Sequence, residues 1–467
     1  MRFLFLFPIL FILFQLQAQT FTISGVAENQ PNKLVRVIAF ADQFSMLEKT
    51  IASVKTDNNG DFTLTAKIKQ TQLALLALDL KKAEILLEPN GNYNLKILND
   101  TSGKGKSIYE QNPLMFEFID NNELNSHLQQ FNVMYNTFLI KNFNAIYRSR
   151  SSSIIYKFRI EVDSVFSTYS NSYFNYSVKY KIASLELASR RLNENKLIEE
   201  YFVNNEIFYN NIEYSSLFKE VFNNYFFSGS SGIDYAKLIE TTNYSVNFKK
   251  IDELISVGNP LLASDERLRE LIGIVGLAKL YNTKEFNRDN IIKLLRQVER
   301  NSKFAEHGEI AGNYIIKLQK LSYGSMAPDF ELTDQNGKTV KLNDLQGKFT
   351  LLSFMEGDCK ICISHISLLD ELRQMFKGKL QNVSFVSGGN KSAISVFMEE
   401  RDYDWPVLVV EDLLLLEAYD VKVFPTYILI NPDGSIAMAT TPMPDENLAA
   451  YINGLMKKWE TRKVQSE

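Results

Sequence analysis

Only two cysteines occur in this 467-residue chain, and they stand two residues apart, in Cys359-Lys360-Ile361-Cys362. A disulfide across so short a loop closes little chain and adds little stability on the loop-entropy argument. The pair therefore points to chemistry: thiol-disulfide exchange, in which a thiolate attacks a disulfide sulfur and passes through a mixed disulfide. A free cysteine, with a pKa of about 8.5, is mostly protonated at neutral pH, so its position matters. The period of residues 359–375, with Ile366, Leu369 and Leu372 on one side, predicts a helix that starts at the pair. Cys359 then lies by unpaired N–H groups and the positive dipole end, which stabilise its anion, and Lys360 adds a little more. Cys362, one turn later, faces the same sulfur. Cys359 is read as the nucleophile and Cys362 as the resolving thiol.

Two further groups are candidates for moving protons. His365 falls three residues after Cys362, on the same side of a helix, where an imidazole with a pKa of about 6.5 could shuttle the resolving thiol's proton. The alternative is a helix-surface histidine with no catalytic task. Glu356 is the second acid/base candidate. Asp358 places a negative charge directly before Cys359 and opposes the helix dipole.

The elements that position these residues alternate strand and helix. Residues 350–354 are short and apolar, suiting a central buried strand, and the cysteine helix follows. Residues 383–386, 407–410 and 426–430 read as further strands, with short helices at 392–400 and 413–419. Asn431-Pro432-Asp433-Gly434 is a turn into a partner strand at 436–440, and a helix over 447–459 closes the segment.

With these pieces in order, residues 326–459 resemble the envelope thiol-disulfide oxidoreductases of the TlpA/ResA type. The resemblance is carried by APDFELTDQNGKTVKLNDLQGK, by the apolar strand before DCKIC, by Trp405-Pro406, and by EAYDVKVFPTYILINPDGSI. It implies an α/β thioredoxin-like fold for residues 321–467, with protein thiols or disulfides as substrates and a redox partner protein. It implies no cofactor beyond the redox-active Cys359–Cys362 disulfide, and no metal. It also implies that Pro425 is cis, opposite the cysteine pair, and that Phe424 presents backbone to an extended substrate segment; for X–Pro bonds the cis form costs only about 0.5–1 kcal/mol.

Three positions depart from the family pattern. Asp358 replaces the usual tryptophan, Ile361 a frequent proline, and His365 a frequent glutamate. A peroxidase reading is weaker, because peroxiredoxins of related fold need Thr or Ser three residues before the reacting cysteine. That position is Glu356, whose carboxylate would repel the developing charge. A non-enzymatic envelope scaffold with a vestigial redox pair is the other alternative.

The rest of the chain reads as a multidomain protein. Residues 1–18 have the pattern of a signal peptide: Arg2, an apolar run over 3–14 interrupted by Pro8, and Leu16-Gln17-Ala18 before a cut that leaves Gln19 first. The run reaches about 18 Å as a helix, short of the roughly 30 Å hydrocarbon core, and no second stretch is long enough to span. Export to the periplasm is the expectation, with an uncleaved inner-membrane anchor as the alternative. Residues 19–103 read as a β-rich, sandwich-like domain, with strands at 21–26, 33–40, 51–55 and 62–68 and a turn at Asp57-Asn58-Asn59-Gly60.

Residues 104–320 change to helical stripes, around 114–140, 155–187 and 291–298, and at Leu268, Leu271, Ile272 and Val275 with Ser264 placed to cap. This all-α region is rich in Asn, Tyr and Phe. Its His127 and His307 have no second metal-type ligand at useful spacing, and a spacer or platform is the simplest role. Hydrophobic residues at 45% and charged residues at 23% mark a globular chain. The formal net charge of −4 gives no sign of a nucleic-acid surface. Oligomeric state is left open.

Overall fold

The computed structural model describes residues 18–99, 113–189, 193–390 and 392–466. The expected signal segment lies outside them but for Ala18. The N-terminal region is sheet-rich: β1 (Gln19–Ala27), β2 (Leu34–Phe40), β3 (Glu48–Lys55), β4 (Asp61–Ile68), β5 (Gln72–Leu78), β6 (Lys81–Leu87), β7 (Asn92–Ile97) and β8 (Phe116–Phe118). They form two four-stranded sheets, β4-β1-β7-β8 and β3-β2-β5-β6. In β4 the alternation turns Phe62 and Leu64 inward and Thr63 and Thr65 outward. Both sheets feed one core that includes Phe21, Ile23, Val37, Leu76, Leu87 and Leu95. At the β3–β4 turn Gly60 has φ +88°, and a Cβ there would stand 2.3 Å from the Ala27 carbonyl oxygen, so only glycine fits.

Two differences from the sequence reading appear here. Strands β5 and β6 were not read, because their Leu- and Ala-rich runs lack the β-branched signal; pairing with β2 decides their state. The stripe beginning near Leu114 is not yet helix: Leu114, Phe116 and Phe118 alternate, and β8 pairs antiparallel with β7. Beyond it, the side chain of Asn125 covers the free edge of β6, accepting from Leu86 N–H and donating to Leu86 C=O, both at 2.9 Å.

The middle region is helical, from Glu123–Tyr147 to Ala305–Gln319. Its asparagine content has a local cause. Asn122, Asn171, Asn193, Asn211, Asn247 and Asn287 are all N-caps whose side chains accept from a first-turn N–H. The helix Glu266–Leu280 is capped by Asp265, accepting from Leu268 N–H, and not by the expected Ser264; the helix starts one residue later than the cap assignment assumed. The loop after β2 enters this region. Phe44 is buried against Phe218, its carbonyl accepts from Tyr314 Oη at 2.8 Å, and that of Ser45 accepts from Lys317 Nζ.

The C-terminal region holds a short pair, β9 (Glu331–Thr333) and β10 (Thr339–Lys341). Its main sheet comprises β11 (Phe349–Glu356), β12 (Leu380–Ser387), β13 (Val407–Val409), β14 (Thr426–Ile430) and β15 (Ile436–Met438), ordered β13-β12-β11-β14-β15. The central strand β11 is buried along nearly its whole length; it runs parallel to β12 and antiparallel to β14. One face packs on the cysteine helix (Lys360–Met375) and the C-terminal helix (Leu448–Ser466) through Leu351, Ile366, Leu369 and Ile452. The other holds Leu352, Phe354, Phe385 and Tyr419. Glu417 joins this region to the first: it pairs with Arg36 at 2.8 Å and Lys82 at 3.2 Å. Burial alone would raise its carboxyl, but the two cations outweigh that and hold it below the ordinary glutamate range.

Candidate functional site

The buried central strand β11 ends at Glu356, where Gly357-Asp358 turns into the cysteine helix. The Cys359 N–H donates to Glu356 C=O at 3.1 Å, and Cys359 itself is the helix N-cap. Its sulfur accepts from the Cys362 N–H at 3.1 Å, so one of the helix's unpaired donors is aimed at it, as the dipole argument requires. The two cysteines form a disulfide with Cα atoms 5.2 Å apart. Cys359 is half-buried and Cys362 fully buried, so an incoming reactant reaches only the first.

The turn leaves no room for side chains. A Cβ on Gly357 would stand 2.2 Å from the Asn390 carbonyl oxygen, and one on Gly389, at φ +53°, would stand 2.5 Å from Asp358 Oδ2. Asp358 is exposed and accepts from the Asn390 N–H at 3.1 Å. Its charge, adverse for a thiolate beside it, is thus partly satisfied by the neighbouring loop. Glu356 is half-buried at the end of β11, where its carbonyl fixes the turn.

Phe424 and Pro425 come to the same place through sheet register. Thr426 pairs with Phe354, so one step further Pro425 lies across from Met355 at the strand end that leads to Cys359. The Phe424–Pro425 peptide is cis. Pro425 is buried, and Phe424, half-buried, packs on the same cluster as Cys359 and Cys362.

His365 is not a helix-surface residue. It is 5% exposed, one turn beyond Cys362 on the sheet side of the helix. Its Nδ1 is 2.9 Å from Tyr427 Oη, and its Nε2 is 3.7 Å from Asp445 Oδ1. Burial and the nearby Asp445 push the Tyr427 hydroxyl well above the ordinary phenol range, so it stays protonated. The two ring nitrogens therefore face a neutral hydroxyl on one side and a carboxylate on the other. Sequence reasoning missed Tyr427 and Asp445 as partners. For Tyr427 a signal was present: it stands two residues after Pro425, and alternation in a strand returns it to the same face. For Asp445 there was none, since it lies in the connection to the last helix. Among the described residues no cluster of His, Cys, Asp and Glu is arranged to hold a metal ion.

A CxxC pair at a helix start, beside a cis-proline strand on a five-stranded mixed sheet, defines the class: a thioredoxin-like thiol-disulfide oxidoreductase. The sequence profile of the AhpC/TSA family matches residues 323–439. The thiol-disulfide oxidoreductase ResA of Bacillus subtilis is 34% identical over 144 residues, which are 31% of this chain and 80% of that protein. Among solved structures, the thioredoxin domain of a thiol-disulfide oxidoreductase from Bacteroides vulgatus is 26% identical with a TM-score of 0.26, covering 28% of this chain and 96% of that one. A thiol:disulfide interchange protein from Bacteroides sp. is likewise 26% identical, with a TM-score of 0.26 over 29% of this chain and 90% of its own. Through its C-terminal segment the chain belongs to the ResA/TlpA-like family of thiol-disulfide oxidoreductases.

Proposed function

We propose that the protein is an exported, periplasmic oxidoreductase that exchanges disulfides with protein thiols and serves envelope redox homeostasis. The observation that carries the site assignment is the asymmetry of the pair: Cys359 is half-exposed at the helix start, and Cys362 is fully buried behind it. In the reducing direction the Cys359 thiolate attacks a substrate disulfide, forming a mixed disulfide and releasing one substrate thiolate, which takes up a proton. Cys362 then loses its proton, with His365 as acceptor and Glu356 as the second candidate, and attacks Cys359 Sγ. The enzyme disulfide forms, and the second substrate sulfur leaves and is protonated. The oxidising direction is the reverse, and the redox potential against the envelope's poise sets which one runs. Phe424 and Pro425 form the edge on which an extended substrate segment lies, and a separate redox partner protein resets the pair.

Export rests on the apolar, charge-free stretch after Arg2; among the described residues no helix is long and apolar enough to cross a membrane. Residues 19–103 and 104–320 are taken as a sandwich-like and a helical domain that place or present residues 321–467. N-terminal sequencing of secreted material is expected to begin at Gln19; an intact Met1 in the membrane fraction means an anchor instead.

The test of the chemistry uses the two serine variants against a disulfide-bonded model protein. Cys362→Ser is expected to accumulate a mixed disulfide through Cys359, and Cys359→Ser is expected to lose exchange altogether. Trapping in Cys359→Ser alone would reverse the roles, and a wild-type pair that fails to cycle with dithiothreitol would return the protein to the scaffold reading.

A further inference from the structure

Charge is unevenly spread along the chain in a way the net value of −4 hides. Between Glu123 and Glu161 there is no acidic residue, yet Lys141, Arg148, Arg150, Lys157 and Arg159 fall in that stretch. It folds as two helices, Glu123–Tyr147 and Ser152–Val165, joined by a short turn. Their buried positions, among them Leu128, Phe131, Ile155, Phe158 and Val162, face a shared core. Arg159 is committed to the buried Glu186 at 2.9 Å. Lys141, Arg148, Arg150 and Lys157 are exposed and have no carboxylate partner among the described residues.

The same end of the pair exposes large apolar side chains. Ile140 is 78% exposed, Phe143 52%, Tyr156 59% and Ile160 52%, and the Tyr147 ring, itself 44% exposed, lies tilted against Phe143 with centroids 4.8 Å apart. At about 1.5 Å per residue all lie within roughly 15 Å of the turn along their helices. Bases alternate with them: Lys141 follows Ile140, Arg148 follows Tyr147, and Lys157 follows Tyr156. Exposed aromatics interleaved with unpaired cations are the composition of an interfacial anchor, in which rings enter the headgroup boundary and long basic side chains snorkel to the phosphates.

We propose that this helical turn docks on an anionic lipid surface. Charge complementarity selects that occupant. A second copy would set the same unpaired cations against each other, whereas a bilayer bearing anionic headgroups supplies both the negative charge and an apolar layer. Convex helices also suit a surface that moulds around side chains better than one that must match their shape. Docking would hold the redox site at a fixed side of the membrane, and it is independent of how Cys359 reacts.

The experiment reads one position. Both native tryptophans, Trp405 and Trp459, lie in the C-terminal region, so Tyr147→Trp in the full chain gives a local emission signal that the apolar run at 3–14 cannot mimic. Vesicles of phosphatidylcholine containing phosphatidylglycerol are expected to shift that emission to the blue, with quenching by brominated acyl chains. Pure phosphatidylcholine should give little response. Changing Lys141, Arg148, Arg150 and Lys157 to Gln in that background should lower partitioning at least about tenfold, and added salt should weaken the response of the Tyr147→Trp parent. Phe143→Ser with Ile140→Ser should keep the attraction and lose the blue shift. Circular dichroism and disulfide exchange identical to the parent's show that each variant is folded. A folded Tyr147→Trp variant with no vesicle response overturns the proposal. So does a blue shift that tracks protein concentration without lipid, which means a second copy, or one produced by polyglutamate and not by vesicles, which means an acidic protein partner.

Discussion

Two buried histidines sit in matching company in two regions of this molecule. His307, in the helical region, has Nε2 2.8 Å from Tyr209 Oη and Nδ1 2.9 Å from Glu270 Oε1. His365, beside the cysteine pair, has Nδ1 2.9 Å from Tyr427 Oη and a carboxylate oxygen of Asp445 3.7 Å from Nε2. The residue types agree, and the closure differs. Around His307 every partner is held in turn: Arg267 Nε donates to Tyr209 Oη at 2.9 Å, and Ser302 Oγ donates to Glu270. Around His365 the carboxylate is beyond hydrogen-bonding distance and its side chain is 58% exposed. A closed network fixes helices; an open one beside the cysteine pair is what the proton-transfer role proposed for His365 needs.

That contrast breaks if the two histidines respond alike to removal. His307→Ala is expected to give the largest stability change, about 2–4 kcal/mol by denaturant unfolding, because it opens a cavity and takes one hydrogen-bond partner each from Glu270 and Tyr209. Exchange per folded molecule should stay at the wild-type rate. His365→Ala should do the opposite: a small stability loss, with exchange slowed by about tenfold or less and a changed pH–rate profile. An unchanged profile removes His365 from the proton path and leaves water or Glu356 as acceptor. A His307 variant that is stable but slow would mean that the helical region acts on the redox site.

What the sequence made legible follows the range of the interactions. The cysteine helix, strand β11 and the Phe424-Pro425 strand depend on local pattern, and residues 359–375, 350–354 and 426–430 read close to their true limits. The pairing of His365 with Tyr427 spans 62 positions; strand alternation from Pro425 gives the face of Tyr427, but only the sheet register brings it to the histidine. The side of the helix that carries Ile366, Leu369 and Leu372 was readable as the buried one, but not that His365 is buried with it. Strands β5 and β6 were opaque for a related reason, since Leu and Ala commit to neither period until β2 pairs with them. The asparagines of the helical region were visible as composition and unreadable as caps, because a cap has meaning only once the first turn's N–H groups exist.

The smallest effects come from the tyrosines, and they sharpen the comparison furthest. Tyr209→Phe removes the acceptor of Arg267 Nε and the partner of His307 together, so about 1–2 kcal/mol should be lost with no change in exchange. Tyr427→Phe removes one hydrogen bond and should cost about 1 kcal/mol or less, while exchange changes by a small factor because the His365 ring is no longer oriented. Alkaline unfolding separates the two states of charge. Burial pushes the Tyr209 hydroxyl up to about 12 against the opposing pull of Arg267, and burial with Asp445 pushes Tyr427 well up too. In the unfolded chain both ionise near about 10. Between that pH and the folded value the native state keeps a proton that the unfolded state has lost. The number bound in U minus that in N is negative, and stability falls as pH rises. Each Phe variant should therefore show a shallower decline above pH 10 than the wild type, measured as the denaturant midpoint against pH. A slope that is the same in Tyr427→Phe as in the wild type would mean that this hydroxyl ionises as readily folded as unfolded, against the burial and the Asp445 charge that surround it here.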